Sequence, residues 1–365
     1  LTCPRDRFNA LRAMRGKRIK AHDGRAGGDA GRVADAYYHC VSRTVNGEML
    51  FGDLEKETLR RMIGRAAAFS GVEVLTHCVM GNHFLVLARV PGEDDPDDAT
   101  LLRRCAELEP ARPARLKALE AKLASGGPAA EELRIRLRAR MGDVSEFMKT
   151  LKQRFSIWFN ANRGRFGTLW AERFKSVLVE GKAGALRTVA AYIDLNPVRA
   201  GLALDPKDYR FCGYAEAVAG NARALAGLER VAGPRAPLRD YRLLLFGKGS
   251  APGGGGAASF DRERAARVLN EEGGDLPLAE ALRCRVRYFT DGLALGSAAF
   301  LRDLATGARR EPSERPFRPN PMNARPPPRR FFVTLALVRE TSEVRSGGAF
   351  HLDGGARLRG KRSVR

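Results

Sequence analysis

Residues 72–90 carry the pattern that most restricts how this chain folds. Two runs rich in β-branched residues, VEVLTHCVM and HFLVLARV, lie on either side of Gly81-Asn82. A short Gly-Asn step between two such runs is typical of a β-hairpin turn. His83 then begins the second strand, and Leu85 shares its face because side chains alternate along a strand. The hairpin predicts an antiparallel sheet with one histidine directly after a turn.

Segments on either side of the hairpin alternate between strand and amphipathic helix patterns. Strand patterns occupy residues 34–45 and 174–180, and helix patterns occupy 53–71, 143–164 and 182–197. The order is strand, helix, strand, strand, helix, strand, helix. This order predicts an α+β fold, with a ferredoxin-like antiparallel sheet and helices on one face.

Changes in composition divide the chain into regions. We predict a flexible basic arm at 1–33 and an α+β domain at 34–220, with a helical insertion at 91–142 that begins acidic. A linker and a small helical module should follow at 221–305, because residues 250–259 are rich in Gly and Ala. The remaining residues, 306–365, are Arg- and Pro-rich at first and are expected to be a mostly disordered basic tail.

The charge balance indicates the class of partner. The chain has 64 Lys and Arg against 42 Asp and Glu, and its pI is near 10.4. Such an excess favours a polyanion, with nucleic acid ahead of a membrane surface. No run of about 18 apolar residues occurs, and the first residues lack a signal-peptide pattern, so a cytoplasmic location is expected. The six cysteines form no C-x-x-C pair, which argues against a zinc ribbon.

Basic residues are concentrated in and after the helix pattern at 143–164. The candidates for phosphate contacts are Lys149, Lys152, Arg154, Arg163, Arg165, Arg173 and Lys175. Four aromatic residues are interleaved with them, as in grooves that neutralise phosphates and stack bases: Phe155, Trp158, Phe166 and Trp170. Most of these rings fall on the apolar stripe of the helix, so only a minor stacking role is assigned to them. The alternative is that the cations form an ordinary solvated surface.

Two polar residues lie together on the last helix pattern. At about 100° per residue, Tyr192 and Asn196 are one turn apart on the flank of an apolar stripe that includes Val189 and Ile193. A tyrosine and a carboxamide in this arrangement can both reach a ligand that lies over the sheet. Taken alone, Tyr192 is more often a half-buried helix aromatic.

Five motifs together resemble the insertion-sequence-200-like single-tyrosine transposases, in particular the REP-associated tyrosine transposases. The motifs are YYHCVSR (37–43), VMGNHF (79–84), MKTLKQRFSIWFN (148–160), GTLWAERFKSVLVE (167–180) and AAYIDLNPVRAGLALDPKDY (190–209). The resemblance covers about 34–220. It implies a domain that binds single-stranded and hairpin DNA, cleaves and rejoins a strand through a tyrosine nucleophile, and uses Mg²⁺ or Mn²⁺. Family members are often dimeric, so it also implies a homodimer, which no other feature of the sequence shows.

Residue by residue, the resemblance assigns the nucleophile to Tyr192 and the metal ligands to Asn196 and His83. The family's metal motif is His-hydrophobe-His, and Leu85 stands where the second histidine is expected. A tyrosine hydroxyl has a pKa near 10, so a cation must offset the charge that develops on the attacked phosphate. Loss of one direct ligand should weaken metal binding by at least the roughly 10- to 100-fold that is typical of outer-shell losses.

Two other histidines are candidates to replace the missing ligand. His77 should face the opposite side of the sheet, because a turn at 81 and 82 places Cys78 opposite Leu85. His39 remains a candidate if its strand pairs with the hairpin. Two functions therefore remain open: a DNA strand transferase weakened at its metal site, or a module that binds DNA or RNA hairpins without cutting them.

Overall fold

The computed structural model describes residues 34–246, most of 290–304, and the backbone of 333–335. The fold is α+β, as predicted. The strands are β1 (Ala36–Arg43), β2 (Glu73–Val79), β3 (His83–Val90), β4 (Lys175–Val179), β5 (Ala294–Gly296) and β6 (Val333–Leu335). The longer helices are α1 (Asp53–Ser70), α2 (Asp98–Leu108), α3 (Pro113–Ala124), α4 (Gly127–Arg138), α5 (Val144–Arg163), α6 (Ala183–Asp194), α9 (Ala222–Ala232) and α10 (Pro237–Phe246), and the shorter ones are α7 (Asn196–Arg199) and α8 (Gly213–Val218).

The described strands form one sheet in the order β2-β3-β1-β4-β5-β6. The first four strands pair with one another in antiparallel fashion and have the ferredoxin-like order, and β5 is parallel to β4. The predicted hairpin is confirmed: the Met80 N–H donates to the His83 carbonyl at 2.8 Å across the turn. Cys78 lies opposite Leu85, and His77 faces the other side of the sheet, as expected.

The two faces of the sheet carry different side chains. One, here called the tyrosine face, carries His39, Val41, Thr76, His83 and Leu85, which the strand register places on the same side. The other, here called the aromatic face, carries Phe84 and its neighbours, and Phe84 packs against Trp170 at 5.5 Å between ring centroids.

Helices cover both faces, whereas the sequence predicted helices on one face. Helices α1 and α5 lie on the aromatic face, where Phe155 of α5 contacts Phe51 and Trp170. Helix α6 follows β4 and lies on the tyrosine face, because its own apolar stripe needs a second buried surface. The predicted arrangement therefore holds for α1 and α5, and α6 adds a third layer.

Local sequence signals account for the ends of α1 and α5. Asp143 caps α5 by accepting the N–H groups of Ser145 and Glu146. In α1, Asp53 is the first helical residue and not the cap. The cap is Gly52, whose N–H donates to the Glu55 carboxylate at 3.0 Å.

The predicted insertion at 91–142 is helical and has a small core of its own. Helices α2, α3 and α4 pack around leucines such as Leu101 and Leu133, together with Phe69 of α1. The insertion is thus anchored to the domain through one face of α1.

The core extends beyond the predicted end of the domain at residue 220. Helices α9 and α10 contribute Leu228, Tyr241 and Leu245 to the same core as the sheet. Residues 333–335, within the predicted tail, form β6, which pairs with β5. The predicted arm, the linker at 250–259 and the rest of the tail lie outside the described residues. No helix in the described part of the chain is long and apolar enough to cross a bilayer.

Candidate nucleic-acid interface and tyrosine site

Tyr192 lies near the end of α6, against the tyrosine face of the sheet. Its ring meets the His39 ring edge-on, with 5.8 Å between centroids. The Arg199 guanidinium lies over the same ring, 4.1 Å from its centroid, in cation–π geometry. The sequence placed Tyr192 on a flank outside the core, but only 9% of the residue is exposed. Burial is greater because Arg199 of the following helix, α7, lies over the ring.

Asn196 begins α7, which follows α6 after the single residue Leu195. Pro197 lies in the first turn of α7, where its missing N–H costs no helical hydrogen bond. Leu195 keeps helical angles, so Tyr192 and Asn196 remain about one turn apart, as predicted. The Asn196 residue is half-buried.

Asp194 anchors this end of α6. Its buried carboxylate accepts hydrogen bonds from the Thr76 hydroxyl at 2.8 Å and the Tyr241 hydroxyl at 2.5 Å. Burial raises the pKa of Asp194 to about 7, and these hydrogen bonds oppose the increase. The residue joins α6 to β2 and α10, and thereby fixes the position of Tyr192. Sequence reasoning missed it, although a lone aspartate in the apolar run AAYIDL was a signal.

A neighbouring asparagine fixes the orientation of the His83 ring. Nδ1 of His83 lies 2.7 Å from Oδ1 of Asn82, and Nδ2 of Asn82 donates to the Gly47 carbonyl at 2.8 Å. The second hydrogen bond directs the amide oxygen toward His83, so Nδ1 carries the hydrogen. The lone pair of the neutral imidazole is then on Nε2.

The donors at this site do not form a resident Mg²⁺ or Mn²⁺ site. Leu85 is 1% exposed and packs between Val41 and Cys78. His39 shares the face of His83 but is paired with Leu87, four residues along the strand, which is about 13 Å away. His83 and Asn196 would thus supply one imidazole and one amide, whereas these hard cations favour carboxylates and other oxygen donors. Across the described residues, no three His, Cys, Asp or Glu side chains come close enough to hold one metal ion.

Three cations lie on the tyrosine face, and we call them the tyrosine-face cations. Arg43 is exposed and directly opposite His83, and Lys175 is exposed and opposite Val41. Arg199 is the third. Burial raises the pKa of the Cys78 thiol, and the charge of Asp194 adds to the increase. The charge of Arg199 lowers the same pKa, so Arg199 also lies near Cys78.

Sequence reasoning identified only Lys175 of these three residues. Arg43 was detectable because alternation along YYHCVSR places it on the same face as His39. Arg199 follows Tyr192 by seven residues, which is two helical turns, so it also had a signal.

Most cations predicted on and after α5 have partners within the chain. Lys149 is exposed and pairs with Glu146 at 3.1 Å. Arg154 donates to Glu109 and to the Leu108 carbonyl, and so ties α5 to the insertion.

The two arginines at the end of α5 also face protein groups. Arg163 binds the buried carboxylate of Glu55 at 2.5 Å. The Arg165 guanidinium lies 5.9 Å from the centre of the Phe159 ring. Arg173, by contrast, is exposed just before β4.

Lys152 is buried, contrary to its expected role at the surface. Its Nζ donates to the Glu172 carbonyl at 2.8 Å and lies 5.1 Å from the centre of the Trp170 ring. Burial, and to a smaller extent the charge of Arg173, lowers the pKa of Lys152 to about 8. The side chain therefore links α5 to the loop before β4.

Comparisons with known proteins give a weak structural likeness. No protein-family model matches the chain, and no curated protein is detectably similar to it. A solved structure of a REP-associated tyrosine transposase bound to a REP hairpin matches 53% of this chain and 86% of that chain, with 15% identity and a TM-score of 0.31. A likeness at this level assigns neither an activity nor a ligand to this chain.

Proposed function

We propose that this chain binds single-stranded or hairpin DNA across the tyrosine face, at the end of the sheet that carries His83. The observation that carries the proposal is that Arg43, Lys175 and Arg199 lie on the same face of the sheet as Tyr192, with Arg199 over its ring. Cations on one face can neutralise successive phosphates of a strand. None of the side chains that the register places at this end, from Arg43 and Val41 to His83, Leu85 and Lys175, is acidic.

Several observations support DNA as the polyanion. The net formal charge is +22, and the five quoted motifs resemble those of single-tyrosine transposases. The strand order of the first four strands is the one expected from that resemblance. Together they favour a nucleic-acid strand over an acidic protein.

Strand cleavage by Tyr192 is a second candidate function. Its phenolic oxygen would form a bond to phosphorus as the bond from phosphorus to the 3′-oxygen breaks, leaving a 5′-phosphotyrosine. The proton lost by the phenol is matched by the proton taken up at the released 3′-oxygen. Arg199 over the ring supports this role, because a guanidinium beside the nucleophile can bind the phosphate under attack. The protein donors provide no comparable support for a resident metal.

Both functions can be tested in one set of binding reactions. The protein is titrated with a labelled hairpin that has a single-stranded extension, over a range of salt concentrations, and samples are then denatured to reveal covalent adducts. For binding, affinity should fall with salt, with a log-log slope of roughly −0.7 per phosphate contacted. Absence of binding at low salt, or a flat salt response, would overturn the binding proposal.

The Tyr192→Phe variant separates binding from cleavage. It keeps the ring beneath Arg199, so its DNA affinity should equal that of the wild type within about twofold. If Tyr192 is a nucleophile, wild-type protein should form an adduct and the variant should not. Tight binding without an adduct, with chelator or with added Mn²⁺, would leave the binding function and exclude the second candidate.

A further inference from the structure

One aromatic side chain is presented to solvent at the same end of the molecule. Phe166 lies in the loop between α5 and β4, and 94% of it is exposed, the largest value among the exposed large apolar residues in the described part of the chain. Of the rings that the sequence grouped with it, Phe155 and Trp170 are buried in the core and Trp158 is half-buried. Phe166 is therefore the one of these four rings with open faces.

The loop that carries Phe166 is held in place by hydrogen bonds. Gly164 ends α5 in the left-handed conformation, and the Arg165 N–H donates to the Asn160 carbonyl at 2.9 Å. The Asn160 side chain then donates to the Gly167 carbonyl at 3.0 Å, which closes the loop on both sides of Phe166. Gly167 has φ = 95°, a value that a residue with a side chain rarely adopts.

Backbone hydrogen bonds connect this loop to the end of the sheet that carries the candidate interface. The Val45 N–H donates to the Leu169 carbonyl, and the Ala171 N–H donates to the Arg43 carbonyl. Arg43 in turn lies opposite His83. Phe166 therefore lies three residues before a segment that is hydrogen-bonded to the end of β1 that carries Arg43.

We infer that Phe166 is a base-stacking platform that receives an unpaired base of the bound strand; this inference rests on the proposed DNA-binding function. An exposed ring can stack on any base, and such contacts are typical of proteins that bind single strands. The charge around the loop agrees with this partner, because residues 164–171 contain Arg165 and no acidic residue. A second copy of this basic chain would be repelled there.

The inference predicts a difference between unpaired and paired DNA. Phe166→Ala should weaken binding to a single strand, or to a hairpin with an unpaired loop, by about tenfold, since one stacked base is worth roughly 1–3 kcal/mol. Binding to a blunt duplex of the same stem should not change. Phe166→Trp should keep the wild-type affinity within about twofold because it retains an aromatic ring.

A matched control and a sedimentation measurement separate base stacking from a general loss of apolar surface and from self-association. Ile135→Ala removes another exposed apolar side chain, 61% exposed on α4 of the insertion, and should leave every affinity unchanged. Unchanged affinity of Phe166→Ala for unpaired DNA, or equal losses on duplex and single strand, would overturn the inference. A change in sedimentation of Phe166→Ala without a change in affinity would overturn it in favour of self-association. If the wild-type protein binds no DNA at low salt, the proposed function itself fails.

Discussion

The basic side chains of α5 and those of the tyrosine face differ in what they contact. On α5, Arg154 and Arg163 bind Glu109 and Glu55, and Lys152 binds a backbone carbonyl. On the tyrosine face, Arg43 is exposed opposite His83, and Lys175 is exposed opposite Val41. The overall charge thus indicates the class of partner, whereas the fold decides which cations share a face with Tyr192.

The largest expected effect tests this contrast directly. The double variant Arg43→Gln with Lys175→Gln should weaken DNA binding by about 100-fold, because a charge-assisted hydrogen bond contributes roughly 1.5–3 kcal/mol. The log-log slope of affinity against salt concentration should become shallower by about 1.4, because two phosphate contacts are lost and each contributes roughly 0.7. Affinities measured by anisotropy over a salt series give both quantities.

The control is a double variant on α5, Lys149→Gln with Arg154→Gln. Lys149 pairs with Glu146 and Arg154 with Glu109, so the expected loss is less than about threefold. Equal losses in the two double variants would contradict the contrast, because phosphates would then contact both groups alike.

A smaller effect is expected at Arg163, and on stability rather than binding. Glu55 is 1% exposed, and replacing Arg163 by alanine removes its charged partner while the Gly52 N–H remains as a donor. Leaving a buried carboxylate short of a partner typically costs about 1–3 kcal/mol. Denaturant unfolding of Arg163→Ala should show this loss, while DNA affinity changes by less than about threefold.

Arg103→Ala is the matched control, since Arg103 is an exposed arginine on α2. Its free energy of unfolding should change by no more than about 0.5 kcal/mol. A strong loss of DNA affinity in Arg163→Ala, with stability unchanged, would instead place Arg163 among the phosphate contacts.

The sequence predicted the elements better than it predicted which cations are exposed. The hairpin, its register and the cap at Asp143 follow from local patterns, namely alternation, turn residues and a side-chain acceptor. The face chosen by α6 and the burial of Lys152 depend on contacts with residues far along the chain, such as Thr76 with Asp194 and Lys152 with Glu172. No periodicity encodes such pairings, because a lysine stem can lie in a core or at the surface. Leu85 is the opposite case, since alternation along β3 predicted the face that it shares with His83, and the register confirmed it.

The smallest expected effect on DNA binding concerns Lys152, whose lowered pKa should instead affect stability. The folded state lowers this pKa from its ordinary 10.5 to about 8, chiefly through burial. Below pH 8 the lysine is protonated in both states, and the folded protein bears the full cost of the buried cation. Between about pH 8 and 10.5 the unfolded chain binds more protons than the folded one, so the free energy of unfolding should rise with pH.

Lys152→Met should therefore remove part of that rise. In urea unfolding at about pH 7.5, 9 and 10.5, the free energy of unfolding of the wild type should rise relative to that of the variant as pH increases. The DNA affinity of the variant at neutral pH should equal that of the wild type within about twofold. Lys149→Met, three residues away and exposed, should follow the wild-type pH profile instead. The contrary outcome is that the free energies of unfolding of Lys152→Met and wild type change with pH in the same way, while the DNA affinity of the variant falls. The amine would then bind phosphate as a surface charge, and the contrast between α5 and the tyrosine face would not hold at this position.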